Sequence, residues 1–350
     1  QALSEGVQRY PTTRGQDQLR QSIAHWLAQR FQLPIDSLDP HKHIIPVNGT
    51  REALFAIAQS VIQRQVPKPW VLMPNPFYQI YEGATMLSGA KPWFINYLPE
   101  NDFQPDFASV PQAVWAQCQL VYVCSPHNPT GSVLNQSSWQ TLLNYADTYG
   151  FVIAADECYS ELYLDETQPP VGLLQACAAL GRYDYKHCLV FHSLSKRSNV
   201  PGLRSGFVAG DADIIRQFLQ YRTYHGCALP LAVQIASCAA WEDEIHVQAN
   251  RALYRQKYAA VLDILGRELE LTQPAAGFYL WPKTPIDDTL FARELFAQQH
   301  VKVLPGQFLS RFAHALNPGT QRVRIALVAQ LTSCIEAAER IRTFITAMHY

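Results

Sequence analysis

One lysine, two serines and one arginine lie close together in the segment "SLSKRSNVPGLRSGFVAG" (193–210). Lys196 follows a run of apolar residues, and a partly desolvated lysine amine is a good nucleophile toward a carbonyl group. Arg204 follows in the same segment, and its permanently charged guanidinium suits a phosphate. Ser193 and Ser195 offer hydroxyl groups to the same phosphate. The segment predicts a site for a ligand with a carbonyl and a phosphate, and an exposed basic loop is the alternative.

A carboxylate at the end of a second apolar run supplies a complementary charge. Asp156 directly follows "FVIAA" and begins "DECY". A buried carboxylate is costly unless it meets a cation or hydrogen-bond donors. The ring nitrogen of pyridoxal 5′-phosphate (PLP) is such a cation, and a carboxylate beside it keeps the ring protonated, so that the ring can accept electrons. The pattern predicts PLP as the cofactor, and an aspartate that only caps a turn is the alternative.

Two further side chains suit the phenolate oxygen of that cofactor. Asn128 lies in "SPHNPTG" (125–131), a segment that also reads as an ordinary turn. Tyr159 follows Asp156 closely in "DECY". We expect both side chains to donate hydrogen bonds to the same oxygen, and we expect His127 to be structural.

The segment "VNGTREAL" is typical of a strand, a glycine turn and the start of a helix. Free backbone N–H groups and the helix dipole favour a phosphate at such a helix start, which involves Gly49, Thr50 and Arg51. Tyr78, in "PNPFYQIY", offers a flat partner for an aromatic ring, although an ordinary core aromatic fits its position equally well. Taken singly, both signals are weak, because many turns between a strand and a helix look alike.

An arginine inside an apolar strand pattern indicates an anion-binding site. Arg324 lies in "RVRIALV", and a buried arginine there needs an anion such as the carboxylate of an amino or keto acid. Arg322 is the alternative. Strand alternation places the two side chains on the same face, so periodicity does not choose between them.

Short apolar runs alternate with amphipathic stretches along the chain, which favours an α/β fold with helices covering a mainly parallel sheet. The polar residues described above follow the carboxyl ends of the strands, where ligands of such sheets bind. A change of pattern near residue 258 divides a large domain (1–257) from a small C-terminal α+β domain (258–350). The predicted strands are 70–73, 120–124, 151–155, 188–192 and 205–210, with two more in "GFYLWPK" and "RVRIALV". The predicted helices are 51–65, 78–87, 138–149, 212–223, 231–269 with an interruption near 241, 289–299 and 330–347.

The composition narrows the classes of partner. With 28 basic and 29 acidic residues among 350, the charge favours neither a nucleic-acid nor an anionic-membrane partner. No apolar run approaches the roughly 20 residues that a membrane helix needs. The eight cysteines form no CxxC pair, so we expect no metal site and predict buried free thiols in a reducing cytoplasm.

Together these motifs resemble the class I and II aminotransferases of PLP fold type I, and the similarity covers essentially the whole chain. The resemblance implies that Lys196 carries the cofactor and that Asp156 pairs with the pyridine nitrogen. It assigns Asn128 and Tyr159 to the ring oxygen, Tyr78 to the ring face and Arg324 to the substrate α-carboxylate, with Asn128 close to the substrate as well. The phosphate is assigned to Gly49, Thr50, Arg51, Ser193 and Arg204.

The resemblance further implies a homodimer with shared active sites, in which Tyr10 reaches the phosphate of the neighbouring subunit. It also implies a segment with an N-terminal arm before the position of Gln1, which we expect to be missing from this sequence.

Within the family, three segments resemble the sequences of the N-succinyldiaminopimelate aminotransferases of lysine and diaminopimelate biosynthesis. These segments are "RYPTTRGQDQLRQSIAHWL", "YRTYHGCALPLAVQ" and "NPGTQRVRIALV". This similarity implies transfer of an amino group between glutamate and N-succinyl-2-amino-6-oxopimelate. The alternatives are another pair of amino and keto acids, a fold type I C–S lyase, and a ligand sensor without catalytic activity.

Overall fold

A seven-stranded sheet forms the centre of the computed structural model, which describes residues 6–7, 9–34, 36–63, 65–66 and 68–348. The spatial order of the strands is β1-β7-β6-β5-β4-β2-β3. Strand β7 runs antiparallel to both of its neighbours, and the other strands run parallel to one another, so the predicted mainly parallel sheet is confirmed. The strands are β1 (Ile44–Val47), β2 (Trp70–Asn75), β3 (Lys91–Asn96), β4 (Cys118–Cys124), β5 (Val152–Asp156), β6 (Cys188–Ser193) and β7 (Gly206–Gly210).

Helices cover both faces of this sheet. Alternate residues of β4 show the division: Leu120 and Tyr122 pack into one apolar cluster, and Val121 and Val123 pack into another on the opposite face. Both faces are therefore apolar, which explains the continuous apolar runs of the central strands. The helices of this part are α1 (Asp17–Phe31), α2 (Pro40–His43), α3 (Thr50–Val61), α4 (Gln79–Leu87), α5 (Gln112–Trp115), α6 (Gln136–Tyr149), α7 (Leu173–Ala179), α8 (Leu194–Arg197), α9 (Ala212–His225) and α10 (Leu231–Glu242).

A second, three-stranded antiparallel sheet lies in the C-terminal part of the chain, in the order β8-β10-β9. Its apolar residues form a third cluster that starts at Tyr258 and ends at Ile345. Residue 258 lies within one continuous helix, so we propose that the two domains meet along that helix rather than at a linker. The elements are α11 (Ile245–Leu265), β8 (Tyr279–Leu280), α12 (Asp288–Gln299), β9 (Leu304–Pro305), β10 (Val323–Ala326) and α13 (Leu331–Met348).

The long helical stretch predicted over 231–269 is indeed interrupted close to Trp241, where α10 gives way to α11. Two strands, β3 and β9, and the long helix α1 were not predicted. All eight cysteines are free thiols, and only Cys227 is partly exposed. Within the described ranges, no helix combines the length and apolarity needed to cross a bilayer.

Candidate active site

A cavity of about 630 Å³ lies at the carboxyl ends of β4, β5 and β6, beside the start of α3. The convergence of polar residues expected at this edge of the sheet is observed. The residues assigned in the sequence that line the cavity are Thr50, Arg51, Tyr78, Asn128, Asp156, Tyr159, Ser193, Lys196, Arg204 and Arg324.

Lys196 lies in the short helix α8, which directly follows β6 and is capped by Ser193. Its Nζ atom lies 5.0 Å from the ring centroid of Phe278 and 5.9 Å from that of Tyr159, and the side chain is half-buried. Burial lowers the pKa of Lys196, and the positive charges of Arg324 and Arg204 lower it further. A larger fraction of neutral amine is then present near neutral pH, which favours nucleophilic attack on a carbonyl group.

Asp156 ends β5 with its side chain almost completely buried, at 4% exposure. It accepts hydrogen bonds from the hydroxyl of Tyr81 (2.7 Å) and the backbone N–H of Cys158 (3.3 Å). Desolvation raises the pKa of Asp156, and these hydrogen bonds offset part of the rise. No described lysine, arginine or histidine forms an ion pair with this carboxylate. A buried carboxylate that lacks a cation fits the protonated ring nitrogen of PLP.

The start of α3 and the guanidinium of Arg204 together form an anion-binding corner. Gly49 caps the helix with φ +81°, and a Cβ atom there would collide with Nη2 of Arg204, so glycine allows the guanidinium to approach the helix start. Arg204 donates to the carbonyls of Pro201 (3.0 Å) and Asn48 (3.4 Å). It forms no ion pair with a described carboxylate, and a phosphate would supply the missing negative charge.

The hydroxyl of Ser193 is already engaged. It accepts from the backbone N–H of Ser195 (3.1 Å) and donates to the carbonyl of Ser205 (3.3 Å). These contacts are to backbone groups only, and the assignment of the Ser193 hydroxyl to a phosphate stays a prediction. Ser193 and Ser195 both line the cavity.

Two tyrosines and one asparagine lie on the opposite side of the cavity. The hydroxyls of Tyr159 and Tyr279 are 3.1 Å apart. Burial raises the pKa of both phenols, so they stay protonated and can donate. Asn128 accepts from Nη1 of Arg324 (2.9 Å) through Oδ1, which leaves its amide N–H groups free to donate to a ligand oxygen.

The structure separates the two arginines that the sequence left unresolved. Arg324 lies in β10, lines the cavity and stacks over the ring of Tyr279 at 4.4 Å. Arg322 precedes the strand, donates to the carbonyl of Trp281 (2.9 Å) and lines a different cavity. Arg322 still forms an isolated β-bridge with Lys283, so the two arginines differ in the cavity that each lines and not in the end of the strand. Arg324 is the arginine available to a substrate carboxylate.

Arg51 and Tyr78 form a pair at the edge of the cavity. Nε of Arg51 donates to the hydroxyl of Tyr78 at 2.6 Å, and the guanidinium lies 5.8 Å from the ring centroid. This contact leaves both Nη groups of Arg51 without a described hydrogen-bond partner. Tyr78 is half-buried and Arg51 is exposed, so the arginine can reach a ligand that enters from solvent.

Tyr10 does not line this cavity, and its side chain is fully exposed. The sequence did not indicate several residues that do contribute. Tyr81 was detectable only as the second tyrosine of "PNPFYQIY", and Tyr279 only as part of a strand pattern. The cavity residues not indicated by any motif are Gln79, Cys158, Pro201, Tyr279, Leu304 and Leu309.

One group of metal-type ligands lies apart from this cavity. Donor atoms of Glu52, His225 and Cys227 lie within 4.8 Å of one another. Glu52 also forms an ion pair with the buried guanidinium of Arg222, whose positive charge opposes that of a metal ion. The group is therefore a poor cation site.

The comparisons agree with the geometry. The family model for aminotransferase class I and II matches residues 1–341. The LL-diaminopimelate aminotransferase of Desulforudis audaxviator is 29% identical over 337 residues, which cover 95% of this chain and 81% of that protein. The enzyme of the same name from Dehalococcoides mccartyi is 30% identical over 302 residues, covering 85% of this chain and 75% of that protein.

Solved structures give the same result. An aminotransferase from Neisseria meningitidis superposes with a TM-score of 0.93 at 49% identity, covering 98% of this chain and 87% of that chain. A probable N-succinyldiaminopimelate aminotransferase from Thermus thermophilus superposes with a TM-score of 0.85 at 25% identity, covering 98% and 89%. The chain belongs to the class I and II aminotransferases, which are PLP-dependent enzymes of fold type I.

Proposed function

We propose that this aminotransferase moves an amino group between glutamate and N-succinyl-2-amino-6-oxopimelate, in lysine and diaminopimelate biosynthesis. The observation that carries the proposal is a pair of arginines, Arg324 and Arg51, that line one cavity and form no ion pair with a described carboxylate. Both proposed substrates have an α-carboxylate for Arg324 and a distal carboxylate for Arg51. The free thiols suit the reducing cytoplasm that we propose as its location.

The residues of the chain have separable tasks in this reaction. When bound, PLP supplies a ring that accepts the electron pair left on the substrate Cα atom. Asp156 would keep a proton on the ring nitrogen, and Arg204 with the start of α3 would hold the phosphate. Lys196 would hold the cofactor through Nζ, and its free amine would take the proton from the substrate Cα atom.

Arg324 orients the substrate so that this proton faces the lysine. Its guanidinium is fixed from two sides, by Oδ1 of Asn128 and by the ring of Tyr279. A planar guanidinium held in this way binds a carboxylate through two parallel hydrogen bonds. Positioning of this kind accounts for a large part of the barrier reduction in reactions between bound groups.

Arg51 is the proposed contact for the distal carboxylate. It is exposed at the cavity edge and retains free Nη groups, so it can follow chains of different length. This flexibility matters because glutamate is much shorter than the succinylated substrate, and one site has to accept both.

LL-diaminopimelate is the second candidate substrate. It is favoured by the two relatives described above, which carry the name LL-diaminopimelate aminotransferase. This molecule has an ammonium group near its distal carboxylate, where the succinylated substrate has a neutral amide. One arginine at the distal site can bind the distal carboxylate of either substrate. The two candidates are therefore distinguished by the groups that surround the distal nitrogen of the substrate.

The test is a comparison of amino acceptors with purified enzyme and glutamate as donor. We expect turnover with the succinylated keto acid and little turnover with tetrahydrodipicolinate, the acceptor that gives LL-diaminopimelate. Arg51→Ala should raise KM for the succinylated substrate about tenfold or more, because a charge-assisted contact is lost. Gln79→Ala, a neutral change in the same cavity lining, serves as the control. Preference for tetrahydrodipicolinate, or an unchanged KM in Arg51→Ala, contradicts the proposal.

A further inference from the structure

A second cavity, of about 430 Å³, shares no lining residue with the active-site cavity. It lies between the loop 130–133, which directly follows the Asn128 segment, and the segment 270–275 that leads into β8. Its volume lies in the range of small-molecule sites. The two cavities are nevertheless close neighbours in the chain. Arg324, which lines the first cavity, lies in β10, and Arg322, which lines the second, immediately precedes that strand.

Arg322 is the charged group of this second cavity. Its side chain is 8% exposed, donates through Nη1 to the carbonyl of Trp281 and lies over the ring of Phe103 at 5.4 Å. It forms no ion pair with any described carboxylate, and its Nε and Nη2 groups make no hydrogen bond to a described residue. A buried guanidinium in this state is costly, and an anion that binds in the cavity would relieve the cost.

Other lining residues add polar groups of both kinds. Nε1 of Trp281, a donor, and Oε1 of Gln104, an acceptor, are buried without a hydrogen-bond partner in the described chain. Asp102 and Glu270 also line the cavity, and both residues are exposed. Glu270 forms a long, exposed ion pair with Lys283 (3.8 Å), which a second ammonium group would have to share. One buried cation and two exposed carboxylates thus face a single space, which suits a ligand with a negative and a positive end.

We propose that this cavity binds a small amino acid or a similar molecule, with its carboxylate on Arg322 and its ammonium group toward Asp102 and Glu270. The site is independent of the active site and of the proposed substrate. Its wall includes Thr130 and Gly131, and the carbonyl of Gly131 accepts from the N–H of Ala276 at 3.2 Å. A ligand there contacts the loop that carries Asn128, and Asn128 is the hydrogen-bond partner of Arg324.

Calorimetric titration of the holoenzyme with 6-aminohexanoate tests the proposal. This probe has a carboxylate and an ammonium group, but its amine is not on the α-carbon. We expect saturable binding to the wild type that Arg322→Met weakens at least about tenfold. Arg324→Met is the matched control, because it removes the active-site arginine only two residues away. It should abolish any active-site binding of the probe and keep the saturable binding that depends on Arg322.

Hexanoate, which lacks the amine, should bind more weakly than 6-aminohexanoate. If Arg322→Met does not fold, as judged by circular dichroism, Glu270→Gln on the exposed side replaces it and should weaken 6-aminohexanoate but not hexanoate. Absence of saturable binding, equal affinity in Arg322→Met, loss of binding in Arg324→Met alone, or equal binding of hexanoate overturns the proposal.

Discussion

At the scale of single residues, the chemistry depends on two groups whose pKa values burial shifts in opposite directions. Burial lowers the pKa of Lys196 and thereby favours its neutral, nucleophilic form. Burial raises the pKa of Asp156, which has to be ionised to pair with a ring nitrogen. The hydrogen bond from Tyr81 lowers the pKa of Asp156 and so keeps the carboxylate ionised over a wider pH range.

Tyr81→Phe is expected to narrow the pH range of activity. Without the hydroxyl donor, the pKa of Asp156 rises further, and the protonated, inactive form of the carboxyl appears at higher pH. The acidic limb of the kcat/KM profile should move upward by about one pH unit, because the loss of one hydrogen bond to a charged group shifts its pKa by about that amount. Tyr122→Phe is the control, since Tyr122 stacks on Tyr81 but donates to the carbonyl of Leu54. An acidic limb at the wild-type pH would show that Tyr81 does not tune Asp156.

The sequence identified the residues that a motif marks, and it missed those that depend on three-dimensional packing. Lys196 and Asp156 stand out because charged groups directly follow apolar strands. Tyr81 does not stand out, because nothing in one sequence tells which tyrosine of a helix faces a carboxylate on a strand. The choice between Arg322 and Arg324 needed the partners of each guanidinium, which periodicity does not give.

At the scale of elements, the site depends on how closely loops approach helix starts. The anion-binding corner at the start of α3 needs Gly49, because the positive φ of this residue and the nearby guanidinium of Arg204 leave no room for a side chain. Arg204 itself has a left-handed backbone, with φ +54°, which turns its side chain back toward that corner.

Gly49→Ala is expected to weaken PLP binding about tenfold or more, because the new methyl group displaces Arg204. Gly150→Ala is a matched control: that glycine also has a positive φ, of +77°, but nothing lies within 4 Å of the added carbon. Gly150 has the left-handed helical conformation, with ψ 20°, so Gly150→Ala should lose about 1–2 kcal/mol of stability. Gly49, with ψ 154°, has a conformation almost restricted to glycine, so Gly49→Ala should lose about 1–3 kcal/mol. Thermal unfolding and absorbance titration with PLP separate the two effects. Equal PLP affinity in the two variants would show that the approach of Arg204 is not needed.

Elements with a strong apolar pattern were predicted, and those with a mixed pattern were not. The central strand β4 is buried along nearly its whole length, and its apolar run was detected. The edge strand β3 is only partly buried, contains Pro92 and was missed. Helix α1 was also missed, since its apolar residues are interleaved with buried polar ones such as Arg20.

At the scale of the whole molecule, two apolar clusters on the faces of the large sheet hold the strands in register, and a third cluster holds the C-terminal part. The active-site cavity draws residues from both parts: Lys196 and Asp156 from the first, Tyr279 and Arg324 from the second. A movement of one part relative to the other would therefore open or close the site.

A homodimer with shared sites is the proposed assembly, and the full exposure of Tyr10 is consistent with a contact to another subunit. Sedimentation equilibrium should give twice the chain mass of 39.5 kDa. Tyr10→Phe should leave this mass unchanged and weaken PLP binding several-fold, because one hydrogen bond to phosphate is lost. A monomeric wild type, or a Tyr10→Phe variant that binds PLP as tightly as the wild type, would contradict the shared site.

The most direct test of the cofactor assignment is the identification of the lysine that holds PLP. The protein is incubated with PLP and reduced with borohydride, which converts the carbon–nitrogen double bond to a stable amine, and its peptides are analysed by mass spectrometry. We expect the phosphopyridoxyl group on the peptide that contains Lys196, and we expect Lys196→Ala to fold normally and to yield no phosphopyridoxyl peptide. Labelling of a different lysine in the wild type, or an unchanged yield of labelled protein in Lys196→Ala, would contradict the assignment.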